Sequence, residues 1–382
     1  MRITIVTGFF LPVPASRGGA TERSWFGLAS LFAKAGHTVV FISRLAPGLA
    51  PAETVNDIRH IRLPGFDHSR HLAVNLVLDL IWGFRVRGAL PAADIVVCNT
   101  ISLPALLSFT RQGFGKVAVM IGRVPKGQVM FYNRVDRIYA PSTFVARKIG
   151  LGRASDITRV IGYPIDWGLF AASSKQTANP ITIGFVGRLH PEKGLALLVG
   201  AVRILAGRTD LPDWRVRVVG PVAISEGGGG ERWVGELMKE SDAAGRDRVH
   251  WNPPIFDAEG LARQYGEMDI FCYPSLAVRG ETFGVAVAEA MAARCAVVVS
   301  ALSCFGDLVT DGETGLVFDQ ASPGAERLLA EKLALLIADP ALRDRLAKKG
   351  QLWAERFDFP TVSANILHDF AQLTGSGSEK RP

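Results

Sequence analysis

Two carboxylates in the second half of the chain, Glu281 and Glu289, have a spacing that suggests ligand binding. The residues around them predict a helix that opens near Thr282 and runs to Ala293. Backbone N–H groups at a helix start bind anions, and Gly284 would let an anion approach the backbone closely. Carboxylates also accept hydrogen bonds from sugar hydroxyls, so the pattern suits a ligand that carries both phosphate and sugar. The alternative is one acid stabilised by the helix dipole and one exposed Glu.

Two cations flank a tight turn in the segment GRLHPEKG, residues 187–194. Arg188 and Lys193 stand between a predicted strand and a predicted helix. Guanidinium and ammonium groups neutralise the negative charge that develops on a departing diphosphate. A surface turn with two solvated cations is the alternative interpretation.

A third candidate is the glycine pair in Arg17-Gly18-Gly19-Ala20, which follows the first predicted strand. The segment lacks the full G-x-G-x-x-G pattern, so it is a poor match to a dinucleotide-binding fingerprint. Two adjacent glycines still allow a ligand to approach the backbone closely.

Each half of the chain opens with a strand, a loop and a helix that must position these groups. The first half begins with ITIVTGFF and the second with ITIGFVGRL. Both continue as short apolar strands that alternate with helices, which predicts an α/β fold with a parallel sheet in each half. We therefore expect two Rossmann-like doubly wound domains that face each other across a cleft. Ligands of such domains bind at the carboxyl ends of the strands.

Several motifs, taken in order, make the sequence resemble the family-4 retaining glycosyltransferases of the two-Rossmann GT-B fold. The Glu-x7-Glu pattern is present in ETFGVAVAEAMA, and GRLHPEKG looks like the family's GRLxPEKG segment. The segments DGETG (311–315), YPSLAVRGETFG and VIGYPIDWGLF (160–170) are similar to further family segments. The resemblance covers most of the chain and is strongest in the second half.

The resemblance implies a role for each candidate residue. Glu281, Arg188 and Lys193 would form the catalytic group, in which the two cations hold the donor diphosphate and Glu281 contacts the donor sugar. Glu289 would bind the ribose hydroxyls of the nucleotide. The donor-binding residues would be Glu289, Phe283, Gly284, Val285, Gly18 and Gly19. Transfer would retain the anomeric configuration by same-face attack assisted by the leaving phosphate, so a pair of flanking carboxylates is not required.

The chain departs from the family pattern after the fourth strand of the first domain, where many members carry a His. Here that strand reads VAVMIGRV, with Arg123 following Ile121 and Gly122. We expect Arg123 to take over a phosphate or acceptor contact.

The resemblance also assigns the domains. We expect an acceptor-side domain at 1–172, a nucleotide-sugar donor domain at 173–357 and a C-terminal helix at 358–374 that packs back on the first domain. The linker falls in the polar segment 171–180, and the tail 375–382 is expected to be disordered.

The net charge of +7 conceals two halves of opposite sign. Residues 1–175 carry 21 Lys and Arg against 9 Asp and Glu, a net of +12, whereas residues 176–382 carry 22 against 27, a net of −5. A basic acceptor half favours an anionic acceptor, such as a lipid-linked diphosphate saccharide, over nucleic acid. We therefore expect a cytoplasmic protein with peripheral contact to the inner face of a membrane and no nucleic-acid partner.

Composition excludes several other classes of protein. The four cysteines have no C-x-x-C spacing, which argues against a zinc ribbon, an iron–sulfur site or a disulfide scaffold. His68 and His71 lack a nearby third ligand and no Asp-x-Asp pattern occurs, so we expect neither a metal nor another cofactor beyond the nucleotide sugar. No apolar stretch reaches 18 residues, so no transmembrane helix is predicted. The nearest, 72–86, is predicted as a buried helix, with a membrane-surface helix as the alternative.

The sequence thus predicts a retaining glycosyltransferase that moves a sugar from a nucleotide-diphosphate donor to a saccharide, lipid-linked or small-molecule acceptor. A sugar-nucleotide epimerase of the same architecture and a catalytically silent partner subunit are the alternatives.

Overall fold

The computed structural model divides the chain into two compact units. The first contains Met1–Pro164 and the chain from Phe359 onward, and the second is Ile165–Asp358. The described residues are 1–14, 19–109, 114–150, 152–173, 179–245 and 248–375. Gly18, part of the predicted linker and the predicted disordered tail beyond residue 375 lie outside the described residues.

The first unit is built on a mainly parallel sheet that forms from buried apolar runs. Within the described ranges it has eight strands in the order β3-β4-β2-β1-β5-β6-β7-β8, with β3 antiparallel to β4. The strands are β1 (Arg2–Val6), β2 (Thr38–Arg44), β3 (Ala52–Val55), β4 (Ile58–Leu63), β5 (Ala93–Cys98), β6 (Phe114–Met120), β7 (Arg137–Ala140) and β8 (Thr158–Val160). Such runs are typical of strands covered on both faces by helices.

Helices of the first unit cover this sheet. They are α1 (Ala20–Lys34), α2 (Leu72–Ala89), α3 (Ser102–Phe109), α4 (Thr143–Ile149) and α5 (Arg153–Asp156). In α1 the side chains of Trp25, Leu28 and Phe32 recur at helical spacing and are buried. This spacing gives α1 one apolar stripe toward the sheet.

The second unit has a fully parallel sheet. In the part of the chain that the structure describes, its six strands have the order β11-β10-β9-β12-β13-β14. They are β9 (Ile181–Val186), β10 (Trp214–Val219), β11 (Val249–Asn252), β12 (Ile270–Tyr273), β13 (Ala296–Ser300) and β14 (Leu316–Phe318). Its helices are α6 (Trp167–Ala171), α7 (Leu195–Ala206), α8 (Glu231–Gly245), α9 (Ala258–Gly266), α10 (Val285–Ala292), α11 (Ala325–Ala338) and α12 (Pro340–Ala354). The strand order runs from β9 through β10 to β11, and the chain then crosses to β12 on the other side of β9. Ligands of doubly wound sheets bind at such a switch point.

The last helix, α13 (Phe359–Thr374), belongs to the first unit. This confirms the prediction that a C-terminal helix packs back on the first domain. Its Phe370 ring packs edge-on against Phe32 of α1 with centroids 6.0 Å apart. The Asp369 carboxylate accepts hydrogen bonds from Arg137 at 2.8 Å and from the Tyr139 hydroxyl at 2.6 Å. Apolar packing and a buried ion pair thus fix the helix on β7.

Helix α2 differs from the prediction of a buried helix. It forms where predicted, but it leaves most of its apolar side chains exposed. No helix among the described residues is long and apolar enough to cross a membrane. All four cysteines are buried, and none of them forms a disulfide.

Candidate active site

The turn after β9 places Lys193 beside the end of β12. A short 3-10 turn, Pro191–Lys193, follows β9, and Gly194 ends it with a φ of +72°. A Cβ on Gly194 would stand 1.8 Å from the carbonyl oxygen of Pro274, just beyond β12. Only glycine combines this left-handed backbone with so close an approach.

Lys193 forms a buried ion pair with Glu281. Their Nζ and Oε2 atoms are 2.7 Å apart, and the side chains are 8% and 11% exposed. The Ser275 hydroxyl donates to the same carboxylate oxygen at 3.1 Å, and the ammonium lies 5.4 Å from the centre of the Tyr273 ring. Burial alone would lower the pKa of Lys193, but Tyr273 and Glu281 outweigh it and raise the pKa, so the ammonium stays charged.

Arg188 lies at the more open end of the same turn. Its guanidinium donates to Glu192 at 2.6 Å and to the carbonyl oxygen of Gly227 at 3.0 Å, and its side chain is 45% exposed. The run of four glycines that begins at Gly227 is tied back by a hydrogen bond from the Gly229 N–H to the Leu189 carbonyl at 2.7 Å. The glycine run therefore helps to orient a cation that remains accessible.

These groups form one connected network. The backbone carbonyl of Glu192 accepts the Leu276 N–H at 2.8 Å, and the Ser275 hydroxyl oxygen lies 3.4 Å from the same carbonyl. Ser275 in turn bonds Glu281, so the turn after β9 is fixed to the loop after β12. The structure thus brings together Arg188, Lys193 and Glu281, the three residues predicted as the catalytic group.

Helix α10 begins later than predicted, at Val285 rather than near Thr282. Gly284 caps it with a φ of +100°, and a Cβ there would meet the Phe305 ring at 2.7 Å. The Phe283 side chain is buried and packs edge-on against another ring, so it belongs to the core. The helix start therefore presents the N–H groups of the predicted segment in a glycine-dependent conformation.

Glu289 lies in the second turn of α10 and is held by a tyrosine. The Tyr265 hydroxyl donates to Glu289 Oε2 at 3.1 Å and also lies 3.3 Å from the Ala286 carbonyl. Tyr265 is fully buried, and burial followed by the charge of Glu289 raises its pKa well above the ordinary value. The tyrosine therefore stays protonated and can act only as a donor to the carboxylate.

The remaining predicted residues lie in the first unit. Gly19 caps α1 with a φ of +90°, and the carboxylate of Glu22 lies 2.6 Å from where its Cβ would be. Glu22 is buried, and burial raises its pKa. Arg123 is exposed, next to Gly122, whose Cβ would approach the Tyr163 hydroxyl to 2.6 Å.

Sequence reasoning missed Ser275, Tyr265 and Glu22. A polar residue two positions after β12 was a usable signal for Ser275, because the carboxyl ends of parallel strands carry ligands. Glu22 stands three residues after a helix-capping glycine, a spacing that places its carboxylate at the helix start. For Tyr265 the sequence holds no local signal, because 24 residues separate it from Glu289.

Comparison with known proteins connects this site to a family. Residues 170–353 match the model of the glycosyl transferases group 1. The phosphatidyl-myo-inositol mannosyltransferase of Mycobacterium tuberculosis (strain H37Rv) is 30% identical over 222 residues, 56% of this chain and 54% of that protein. The D-inositol 3-phosphate glycosyltransferase of Nocardioides sp. is 29% identical over 258 residues, 63% of this chain and 54% of that protein. The chain thus spans about half the length of the curated relatives it matches.

Solved structures match the fold over nearly the whole chain. Sucrose-phosphate synthase from Thermosynechococcus elongatus has a TM-score of 0.77 and 20% identity, and the match covers 99% of this chain and 100% of that one. Anabaena HepE in complex with UDP and glucose has a TM-score of 0.70 and 19% identity, with coverage of 97% and 100%. The two parallel sheets are therefore those of the GT-B fold. The match to the glycosyl transferases group 1 covers residues 170–353, just under half of the chain, and includes the Lys193–Glu281 network and Glu289.

Proposed function

We propose that this chain is a retaining glycosyltransferase that moves a sugar from a nucleotide-diphosphate donor to an anionic acceptor. The observation that carries the proposal is the buried Lys193–Glu281 pair, joined to Ser275 and set beside the start of α10 in the chain. Removing two charges from water costs free energy, so a buried ion pair often adds little net stability to a fold. A buried pair at the carboxyl end of a sheet therefore favours a role in ligand binding.

The donor diphosphate is assigned to two cations and one helix start. Lys193 supplies a buried ammonium that stays charged, and Arg188 supplies a planar fork that suits phosphate oxygens. The N–H groups that follow Gly284 add the positive end of α10. Together they neutralise the charge on the leaving diphosphate, so the proposed transfer needs no divalent metal.

The two glutamates take different parts of the donor. Glu289, oriented by Tyr265, accepts hydrogen bonds from the ribose hydroxyls. Glu281 is fixed from two sides by Lys193 and Ser275 and accepts hydrogen bonds from the transferred sugar. With Glu281 committed to binding, the leaving phosphate itself assists same-face attack, which retains the anomeric configuration.

The acceptor is assigned to the basic first domain, 1–172, and the donor to 173–357. The curated relatives are named for acceptors that contain inositol and phosphate, which are anionic. Arg123 is the exposed cation that we assign to an acceptor phosphate. We place the reaction at the cytoplasmic face of a membrane, with a lipid-linked or inositol-phosphate acceptor.

A transfer assay with the purified chain tests this function. A panel of nucleotide sugars is incubated with phosphatidylinositol vesicles or with inositol phosphate, and mass spectrometry follows the glycosylated product and the free nucleoside diphosphate. We expect both products from one donor–acceptor pair and a loss of at least about a hundredfold in Glu281→Gln, typical of removing a group that binds the transition state. A change of the sugar without an acceptor would instead identify an epimerase and overturn the proposal.

A further inference from the structure

Helix α2 presents an apolar stripe to solvent. Seven large apolar side chains of this helix are between 39% and 59% exposed: Leu72, Val74, Leu76, Val77, Leu80, Ile81 and Phe84. Most recur at intervals of three and four residues, so they share one face of the helix. An ordinary surface helix of a globular protein turns this face toward the core.

The opposite face of α2 is locked onto the first unit. The Trp82 indole donates to the Thr7 carbonyl at 3.0 Å, and the buried Asp79 accepts the Ser102 N–H at 2.7 Å at the start of α3. Gly83 stands so close to α3 that a Cβ would lie 2.9 Å from Leu106. These contacts fix the rotation of the helix, so the apolar stripe cannot turn inward.

The charged residues next to the two ends of the stripe are mainly basic. Arg85 and Arg87 lie at the carboxyl end of the helix, and the exposed Arg70 precedes it. Asp79 is the one acidic residue in the α2 sequence, and it is buried on the far face. Apolar side chains bordered by arginines are the composition of helices that lie in the headgroup region of an anionic membrane.

We propose that α2 is a membrane-docking helix that lies flat in the surface of an anionic lipid bilayer. At 18 residues it is about 27 Å long, close to the diameter of a small domain. An anionic surface complements the +12 charge of residues 1–175. A second copy of the chain would instead place basic surface against basic surface, so the charge favours lipid. The inference depends on this surface alone and does not need the proposed transferase activity.

Vesicle flotation with the full chain tests the proposal. The vesicles contain either phosphatidylcholine alone or phosphatidylcholine with phosphatidylglycerol. We expect binding to the anionic vesicles. Val77→Asp combined with Leu80→Asp should lose at least about tenfold, because each change replaces an apolar side chain that membrane contact would bury. Leu335→Asp with Leu352→Asp is the matched control, since these exposed leucines lie on α11 and α12 of the second unit. The control is expected to float like the parent chain.

Two further variants test the electrostatic contribution to membrane binding. Arg70→Glu and Arg87→Glu are each expected to weaken binding to anionic vesicles by at least about fivefold, and the loss should shrink in high salt. Thermal unfolding of every variant checks that it is folded. Equal flotation of the Val77/Leu80 variant and the parent would overturn the proposal. A parent that is dimeric without lipid, and an Asp variant that is monomeric, would identify the stripe as a subunit interface and would also overturn it.

Discussion

Replacing Lys193 by Met separates the electrostatic role of the ammonium from the volume of its side chain. The change leaves the Glu281 carboxylate buried, with Ser275 as a remaining donor but without its opposite charge. Breaking a buried ion pair from one side costs about 3–5 kcal/mol of unfolding free energy. For a unit the size of Ile165–Asp358 this corresponds to a fall in melting temperature of roughly 6–20 °C.

Differential scanning calorimetry and steady-state kinetics together measure this effect. Lys193→Met combined with Glu281→Gln removes both charges, so most of the lost stability should return while turnover stays low. Turnover of the single variant should fall by more than donor affinity, because the ammonium meets charge that develops as the diphosphate leaves.

The control for this series is Lys332→Met. Lys332 pairs with Asp311 at 3.4 Å on the surface of the same unit, and exposed pairs contribute at most about 1 kcal/mol. The reasoning is refuted if Lys193→Met melts like the control. It is also refuted if the double variant regains turnover, because the pair would then be structural only.

Three further predictions concern other named contacts. Tyr265→Phe removes the hydroxyl that orients Glu289, and calorimetric titration should show nucleoside diphosphate binding weakened by about tenfold or more, the value of a hydrogen bond to a charged group. Gly284→Ala forces a side chain into a φ of +100° against the Phe305 ring, so it should lower both the melting temperature and donor affinity. His60 is buried among aromatic rings, and burial followed by the charge of a nearby arginine lowers its pKa; stability should therefore fall as pH drops below about 6.5, by at most about 1.4 kcal/mol per pH unit.

Each of these has a matched control or a contrary outcome. Tyr132→Phe removes a hydroxyl bonded to a backbone carbonyl in the first unit and should leave nucleotide binding unchanged. Gly312→Ala has a φ of +75° with open space around its Cβ, so it isolates the backbone cost from the ring contact. His60→Leu should flatten the acid limb of the stability curve, and an unchanged slope would show that another group titrates there. Wild-type binding in Tyr265→Phe would show that the hydroxyl does not position Glu289.

Most of the fold can be predicted from the sequence because the signals for its strands and helices are local. Apolar runs predict strands buried on both faces, and alternation with helices predicts parallel sheets. The return of α13 to the first unit was also predicted. Its anchor, Asp369 on Arg137, joins residues 232 apart, so the contact itself had no local signature.

The residues of the candidate site could be named from the sequence, but their pairing could not. Arg188, Lys193 and Glu281 were all named, yet the bond between Lys193 and Glu281 spans 88 positions. The spacing of residues within one segment cannot predict a contact between two loops that follow neighbouring strands. The positioning residues Ser275 and Tyr265 were missed for the same reason.

Helix α2 shows a different limit of sequence reasoning. Its composition is that of a core helix, so the buried interpretation was the natural one. What turns the stripe outward is the set of tertiary contacts of Asp79, Trp82 and Gly83, which fix the opposite face. Hydrophobicity alone predicts that the helix forms, but it does not predict which side of the helix is exposed to solvent.

We propose that this chain transfers a sugar with retention at the Lys193–Glu281 network. The most direct test is proton NMR of the glycosylated product, recorded while an α-linked nucleotide sugar is being consumed by the full chain. We expect an α-linked product from the first turnovers, and loss of that product in Lys193→Met. A β-linked product, or consumption of the donor without any acceptor being glycosylated, would contradict it.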